Sequence, residues 1–348
     1  MKLRIAIVGL GQRGLATLRR LRDIPDVEVV AVCDKKEPTE CELSPPVSVF
    51  SDWNDVVRRA DIHLLYICTP WDSHVEIAVE AMKQGKNVAI EVPAAMTVHA
   101  CELLVRVARW TERHCVMLEN CCYDTWHLGI KEMVRQGLLG QVTHLEGAYI
   151  HTLGTDWMHE LRANHRGNPY PTHGLGPMLQ LLDDDDRLEY LVSMSANNQK
   201  DKLCLSDTLL HSRKGVSLLL QYDTSTPRPY NRLQTVCGTL GYAQKYPLPT
   251  IQIGDMLHTG NEAVQYVEGY IAPEMKQILK EGRERGVSNV MNYAMDRRLI
   301  DLLLLELESG KRQRLDMEVE EAALWSCVTE LTEKSAQQGS ERFNIPEF

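Results

Sequence analysis

"LRIAIVGLGQRGLATLRRLRDI", residues 3–24, decides the fold. Its opening "LRIAIVGLG" is a short apolar run that ends in glycines. The remainder sets Leu15, Leu18 and Leu21 at helical spacing. A buried strand turning through glycines into a helix is the context in which G-x-G-x-x-G spacing carries meaning, and Gly9, Gly11 and Gly14 hold that spacing. Gly9 permits the tight turn, Gly11 lets backbone approach a pyrophosphate, and Gly14 lets the helix pack close to the strand. The phosphates would sit on the helix N-terminus, where free N–H groups and the dipole favour negative charge. Asp34 closes the next strand, "VEVVAVCD", about 20 residues further on. A carboxylate there accepts from the adenosine ribose hydroxyls and repels a 2′-phosphate. NAD is therefore the expected cofactor over NADP, a preference that Lys35 and Lys36 soften.

Outward from this stretch, strand and helix keep alternating. "SDWNDVVRRA" reads as a short helix capped by Ser51 or Asp52, and "IHLLYICTP" as a strand that stops at Pro70. "SHVEIAVEAMKQGK" is an amphipathic helix that stops at Gly85, and "NVAIEV" is a strand. "TVHACELLVRVARWTERH" is a helix capped by Thr97, and "CVMLEN" is one more strand. Strands separated by helices imply a parallel sheet covered on both faces. After about residue 120 the pattern changes. A helix around 125–137 gives way to "VTHLEGAYIH", "YLVSMSANN", "DTLLHSR", "VSLLLQYDT" and "NRLQTVCGTLG", joined by turns, which predicts a mostly antiparallel sheet. Helical spacing returns in "MDRRLIDLLLLELESG" and in "EVEEAALWSCVTELTEKSAQQ". The expected fold is α/β: a dinucleotide-binding domain over 1–120, then an α+β domain with an open antiparallel sheet over 121–348. The C-terminal helix is expected to pack back on the first domain.

Composition excludes several function classes. A net charge of -10 argues against a nucleic-acid partner, since those binders concentrate Lys and Arg on one face. No apolar run is long enough to span a membrane; "LIDLLLLELE" is short and charged. The chain enters a strand directly after Met1-Lys2, so no secretory leader and a cytoplasmic location are expected. Ten cysteines include no C-x-x-C pair, so free thiols are expected. His159 and His165 flank "ELRAN" without H-E-x-x-H spacing, and "DDDD" at 183–186 reads as a solvated turn; no metal is expected.

Further stretches carry a family resemblance. "TPWDSH" (Thr69, Pro70, His74), "GKNVAIEVP" and the "GLLGQV" turn resemble the glucose–fructose oxidoreductase and inositol dehydrogenase (Gfo/Idh/MocA) superfamily. Most of that superfamily reads Glu-Lys-Pro where this chain has Glu91-Val92-Pro93, and Val92 offers neither proton nor charge. "EVPAA", "MLENCCYD", "NPYPTHGLGP" and "PRPYNR" together resemble glycoside hydrolase family 109, the NAD-dependent α-N-acetylgalactosaminidases. The resemblance implies a redox detour. NAD takes a hydride from C3 of the sugar, the C2 proton becomes acidic, and the C1 group leaves by elimination. Water then adds and the hydride returns. It also implies cofactor contacts from Gln12, Arg13, Thr69, Pro70, His74, Glu91, Pro93 and Asn120, beside Gly9, Gly11, Gly14 and Asp34.

That route needs groups that pass protons near neutral pH, which suits histidine. His173 is the first candidate base, because Pro171 and Gly174 argue for a rigid bend that exposes it. Tyr170 is the expected partner and falls on the same face if a helix starts nearby. Tyr123 is expected beside the nicotinamide, at the carboxyl end of a strand. Arg162 and Tyr230 are expected to bind the sugar. Two alternatives stand beside this reading: a net sugar oxidoreductase of the same superfamily, and a non-catalytic NAD-binding regulator, since fold does not fix function. An open antiparallel sheet also makes a homo-oligomer the expected assembly.

Overall fold

The computed structural model describes residues 2–36, 47–152, 165–196 and 204–348. The chain divides into two compact units. One comprises 1–119, 278–326 and Phe348, and the other 120–277 and 327–347.

Among the described residues the first unit is built on six strands: β1 (Leu3–Val8), β2 (Val27–Cys33), β3 (Ser48–Phe50), β4 (Leu64–Ile67), β5 (Asn87–Ile90) and β6 (Cys115–Met117). They pair in the order β3-β2-β1-β4-β5-β6, and every pair is parallel. This is the doubly wound order of dinucleotide-binding folds. Burial is continuous along β4 and nearly so along β1, as expected of strands covered on both faces. The crossover helices are α1 (Gln12–Arg22), α2 (Trp53–Val57), α3 (His74–Lys83) and α4 (Val98–Thr111). Asp52 caps α2 by accepting from Asn54 N at 2.9 Å, and Thr97 caps α4 by accepting from Ala100 N at 3.2 Å.

A single boundary near residue 120 misses one feature of this unit: residues 278–326 belong to it. The reason is a set of long-range polar bonds that no local pattern announces. Asp296, fully buried on the helix Val290–Ser309, accepts from Arg20 Nε at 2.6 Å and from the Tyr66 hydroxyl at 3.2 Å. His114, just before β6, meets Glu318 at 2.7 Å and Glu306 at 2.8 Å through its two ring nitrogens. Ser326 Oγ accepts from Ala94 N at 3.1 Å.

Among the described residues the second unit carries nine strands: β7 (Val142–Ile150), β8 (Leu188–Ser195), β9 (Leu205–Ser212), β10 (Ser217–Asp223), β11 (Asn231–Gly238), β12 (Gly241–Gln244), β13 (Thr250–Ile253), β14 (Met256–Thr259) and β15 (Phe343–Asn344). Their order is β14-β13-β12-β11-β7-β10-β9-β8-β15, antiparallel throughout except for the β7–β10 pair. Leu218, Leu220 and Tyr222 alternate into the core along β10. Two helices matter for the site: α5 (Thr125–Arg135) and α6 (Thr172–Leu179). Helix α6 corrects the expected bend at His173. Gly174 lies inside the helix, and a Cβ there would meet Ala148 N at 2.7 Å, while one on Gly147 would meet Gly174 O at 2.3 Å. These glycines let α6 touch β7, and the bend is a packing contact. The acidic run is likewise only partly solvated: Asp186 is 4% exposed and accepts from Ser212 Oγ at 2.6 Å.

Candidate active site

The first unit holds the glycine cradle. Gly9 has φ +92°, where an L side chain is strained, and a Cβ on it would come within 2.6 Å of Cys68 backbone. A Cβ on Gly14 would lie 1.8 Å from Gly9 O, so only glycine lets α1 start this close to β1. A Cβ on Gly11 would meet nothing within 4 Å. That open side, above the first N–H groups of α1, is the shape a pyrophosphate requires. Asp34 is already oriented: Oδ2 accepts from Leu10 N at 2.6 Å and Oδ1 from Lys36 N at 2.9 Å. The residues present fit a dinucleotide. Gln12 is exposed at the start of α1.

The other expected cofactor residues divide into two kinds. Thr69 is half-buried and Pro70 exposed, at the carboxyl end of β4. Glu91, by contrast, is 8% exposed and accepts from Arg13 Nε at 2.6 Å, while Arg13 Nη2 donates to Asn292 Oδ1 at 3.2 Å. Glu91 therefore ties the glycine loop to the end of β5. His74, expected as a cofactor contact, is fully buried, with Nδ1 3.0 Å from Pro93 O and Nε2 2.9 Å from Thr69 O. Burial pushes its pKa down, and the two carbonyls pull the other way. Its ring joins the Thr69 turn to the buried Val92-Pro93 turn and is not presented to a ligand. Asn120 is 7% exposed, in the 3₁₀ turn Asn120–Tyr123 of the second unit.

The second unit gathers an aromatic cluster. The Tyr170 hydroxyl lies 3.4 Å from His173 Nε2, and the two rings meet edge-on at 4.7 Å. His173 sits in the first turn of α6, and Tyr170 precedes the helix, so their meeting comes from the turn leading into α6. Asn168 shapes that turn, its Oδ1 accepting from Tyr170 N at 3.0 Å and its own N–H donating to Thr332 Oγ1 at 2.9 Å. Tyr149, at the end of β7, packs 5.0 Å from Tyr170 and 5.3 Å from His173. His151 stacks on Tyr149 at 5.9 Å and meets Tyr230 edge-on at 5.2 Å. Tyr230 is 43% exposed, and partial burial pushes its phenol pKa up.

The structure thus brings Tyr170 and His173 together directly and links Tyr230 to them through His151 and Tyr149. Tyr123, expected as a catalytic phenol, is 4% exposed and closes the turn Asn120–Tyr123. Arg162 lies outside the described residues, as does His159. Sequence reasoning missed Tyr149 and His151. Their signal was present in "GAYIH", where alternate residues of a strand share a face.

Residues 3–119 match the oxidoreductase family with NAD-binding Rossmann fold, and residues 198–348 match the C-terminal domain of glycosyl hydrolase 109. A glycosyl hydrolase family 109 protein 2 of Phocaeicola vulgatus is 42% identical, over 99% of this chain and 94% of its own. An alpha-N-acetylgalactosaminidase of Bacteroides fragilis is 41% identical, over 99% of this chain and 91% of its own. Among solved structures, an NAD binding oxidoreductase from Klebsiella pneumoniae matches at TM-score 0.78 and 15% identity over 100% of both chains. Levoglucosan dehydrogenase in complex with NADH and L-sorbose matches at TM-score 0.77 and 14% identity, again over 100% of both. Identity this low speaks to fold alone. No helix among the described residues is long and apolar enough to cross a membrane.

Proposed function

The chain belongs to glycosyl hydrolase family 109, and from that premise we propose that it is an NAD-dependent glycosidase acting on α-linked N-acetylgalactosamine or a related sugar. The observation that carries the reading is the Tyr170–His173 pair, 3.4 Å apart within an aromatic cluster, in a chain with Val92 where an oxidising enzyme would need a lysine. When bound, the dinucleotide supplies a hydride acceptor that returns the hydride in the same turnover, so no external reductant is consumed. Gly9, Gly11, Gln12 and Arg13 would hold its phosphates and Asp34 its ribose, while Gly14 lets α1 start close to β1.

His173 is the base that takes the sugar C2 proton, a role suited to imidazole near neutral pH. Tyr170, hydrogen-bonded to it, passes a proton to the oxygen leaving C1. Tyr230 and Arg162 hold sugar hydroxyls, and Tyr149 fixes both catalytic rings by edge and tilted contacts. Glu91 keeps Arg13 in place.

NAD-loaded protein incubated with a chromogenic α-N-acetylgalactosaminide tests the reading. Release of the phenol is expected, together with exchange of the C2 proton for solvent deuterium, which direct displacement does not produce. His173→Ala should abolish both. No release despite bound cofactor refutes the glycosidase reading. A steady rise in reduced-nicotinamide absorbance with free sugars would favour a net oxidoreductase.

A further inference from the structure

Tyr230 is 43% exposed, so burial alone does not hold its ring. Besides the His151 and Tyr246 rings, a charged group packs against it. Arg232 is 2% exposed and brings its guanidinium carbon to 6.0 Å from the Tyr230 ring centre, within cation–π range. Arg232 Nη2 donates to Asp124 Oδ2 at 2.6 Å, and Lys245 Nζ donates to the same oxygen at 2.5 Å. Lys245 Nζ also lies 5.6 Å from the Tyr246 ring, and Tyr246 meets Tyr230 edge-on at 6.1 Å. Asp124 is the N-cap of α5 as well, accepting from Trp126 N at 3.0 Å. Arg232 thus meets Tyr230 directly and Lys245 reaches it through Tyr246, both cations being held on one carboxylate.

Such a buried group is costly, since desolvation opposes ion pairs and well-packed apolar residues often stabilise more. Burial by itself would raise the Asp124 pKa, but the charges and hydrogen bonds of Arg232 and Lys245 outweigh it and hold the carboxyl at about 2. Arg232 Nε and Nη1 are buried with no hydrogen-bond partner among the described residues. A group serving stability alone has little reason to leave two donors unmet.

We propose that Arg232 is a positioning residue for Tyr230, its guanidinium fixing the phenol for the sugar while Asp124, itself held by Lys245, fixes the guanidinium. This rests on the reading that Tyr230 meets the substrate. Arg232→Lys keeps the charge and loses the planar face. Asp124→Asn keeps a good N-cap for α5 and removes the anchoring charge. Each should raise KM for the chromogenic galactosaminide about 10-fold, change kcat less than about 3-fold, and leave NAD affinity unaltered. In a Tyr230→Phe background the same substitutions should add less than about 2-fold, because the phenol they position is already gone. A merely structural role predicts full additivity and a loss of kcat with stability.

Calorimetric binding of N-acetylgalactosamine accompanies the kinetics, so absence of turnover strikes the glycosidase reading without deciding this one. Wild-type KM and sugar affinity in Arg232→Lys and Asp124→Asn, with Tyr230→Phe impaired, overturn the positioning role. Full additivity overturns it too. Wild-type sugar binding by Tyr230→Phe overturns instead the substrate role of Tyr230, and this proposal with it. Should both first variants fail to fold, Lys245→Met leaves the Arg232–Asp124 pair intact and should raise KM about 3-fold; an unchanged KM there refutes the proposal.

Discussion

Alanine at Gly11 and alanine at Gly14 separate a cofactor surface from a packing contact within one loop. At Gly14 the new Cβ would lie 1.8 Å from Gly9 O, whereas real Cβ atoms keep at least 3.0 Å from such neighbours. The obstructing atom is backbone, so α1 must retreat from β1 by roughly 1.2 Å, an overpacking cost of about 3 kcal/mol. For a unit of this size that lowers Tm by roughly 6–12 °C even without cofactor. At Gly11 the new Cβ meets nothing within 4 Å, and φ is -60°, which alanine adopts freely. The unliganded protein then loses only the small N-cap preference for glycine over alanine, about 0.5–1 kcal/mol. Its methyl group does occupy the path of the pyrophosphate, so NAD should bind at least about 10-fold more weakly. Differential scanning fluorimetry with and without NAD reads both effects. At 100 times the wild-type Kd, NAD stabilises wild type by about 2.7 kcal/mol, and Gly11→Ala should keep about half of that shift. If Gly11→Ala melts as low as Gly14→Ala without cofactor, or keeps the whole NAD shift, the assignment of this loop to the pyrophosphate is wrong.

The remaining predictions concern pH, the strand tip and the α6 contact. Burial holds the His127 pKa at about 4 against its ordinary 6.5, although Gln180 Oε1 accepts from its Nε2 at 3.0 Å. Between those values the unfolded chain takes up a proton that the native ring refuses, so stability should fall by roughly 3 kcal/mol as pH drops from 6.5 to 4. Urea midpoints across that range should show the slope, and His127→Gln should flatten it; an identical slope in the variant would sink the assignment. Asp124, at about 2 against an ordinary 3.8, contributes stability present above pH 3.8 and lost as pH falls towards 2, roughly 2 kcal/mol in all. Val92→Lys should not create sugar oxidation and should lower Tm by several degrees, because position 92 is 4% exposed and a lysine there is desolvated. Net reduction of NAD by that variant with free sugars would contradict the reading of Val92. Gly174→Ala places a Cβ 2.7 Å from Ala148 N, lifts α6 from β7, and should cut turnover at least about 10-fold while NAD binding persists.

Much of this was legible because its physics is local. A strand, a glycine turn and a helix follow one another within residues 3–24, so spacing alone announces the cradle, and Asp34 follows at the end of the next strand. Asp52 and Thr97 cap their helices through neighbours two and three residues away. The change from helix-linked to turn-linked strands near residue 120 marks where the parallel sheet ends, because parallel strands need long crossovers and antiparallel ones do not. The short strands β12, β13 and β14 escaped notice, since four residues carry too little alternation to stand out.

The site was half legible for the same reason. Tyr170 and His173 lie three residues apart and could be paired from the motif, but the ring that holds them both, Tyr149, comes from another strand. Gly174 read as part of a rigid bend and serves instead as the flat spot where α6 meets Gly147, a contact between residues 27 positions apart. Asp296 binding Arg20 across 276 residues, and Asp124 binding Arg232 across 108, are the strongest cases. Such partners pair only once folding has removed water from both, and a buried charge finds its partner through the fold and not through sequence spacing. The sequence by itself determined the cofactor cradle and the family of the chemistry. Tertiary structure alone decided that residues 278–326 complete the first unit, and that the buried Arg232 stands against Tyr230.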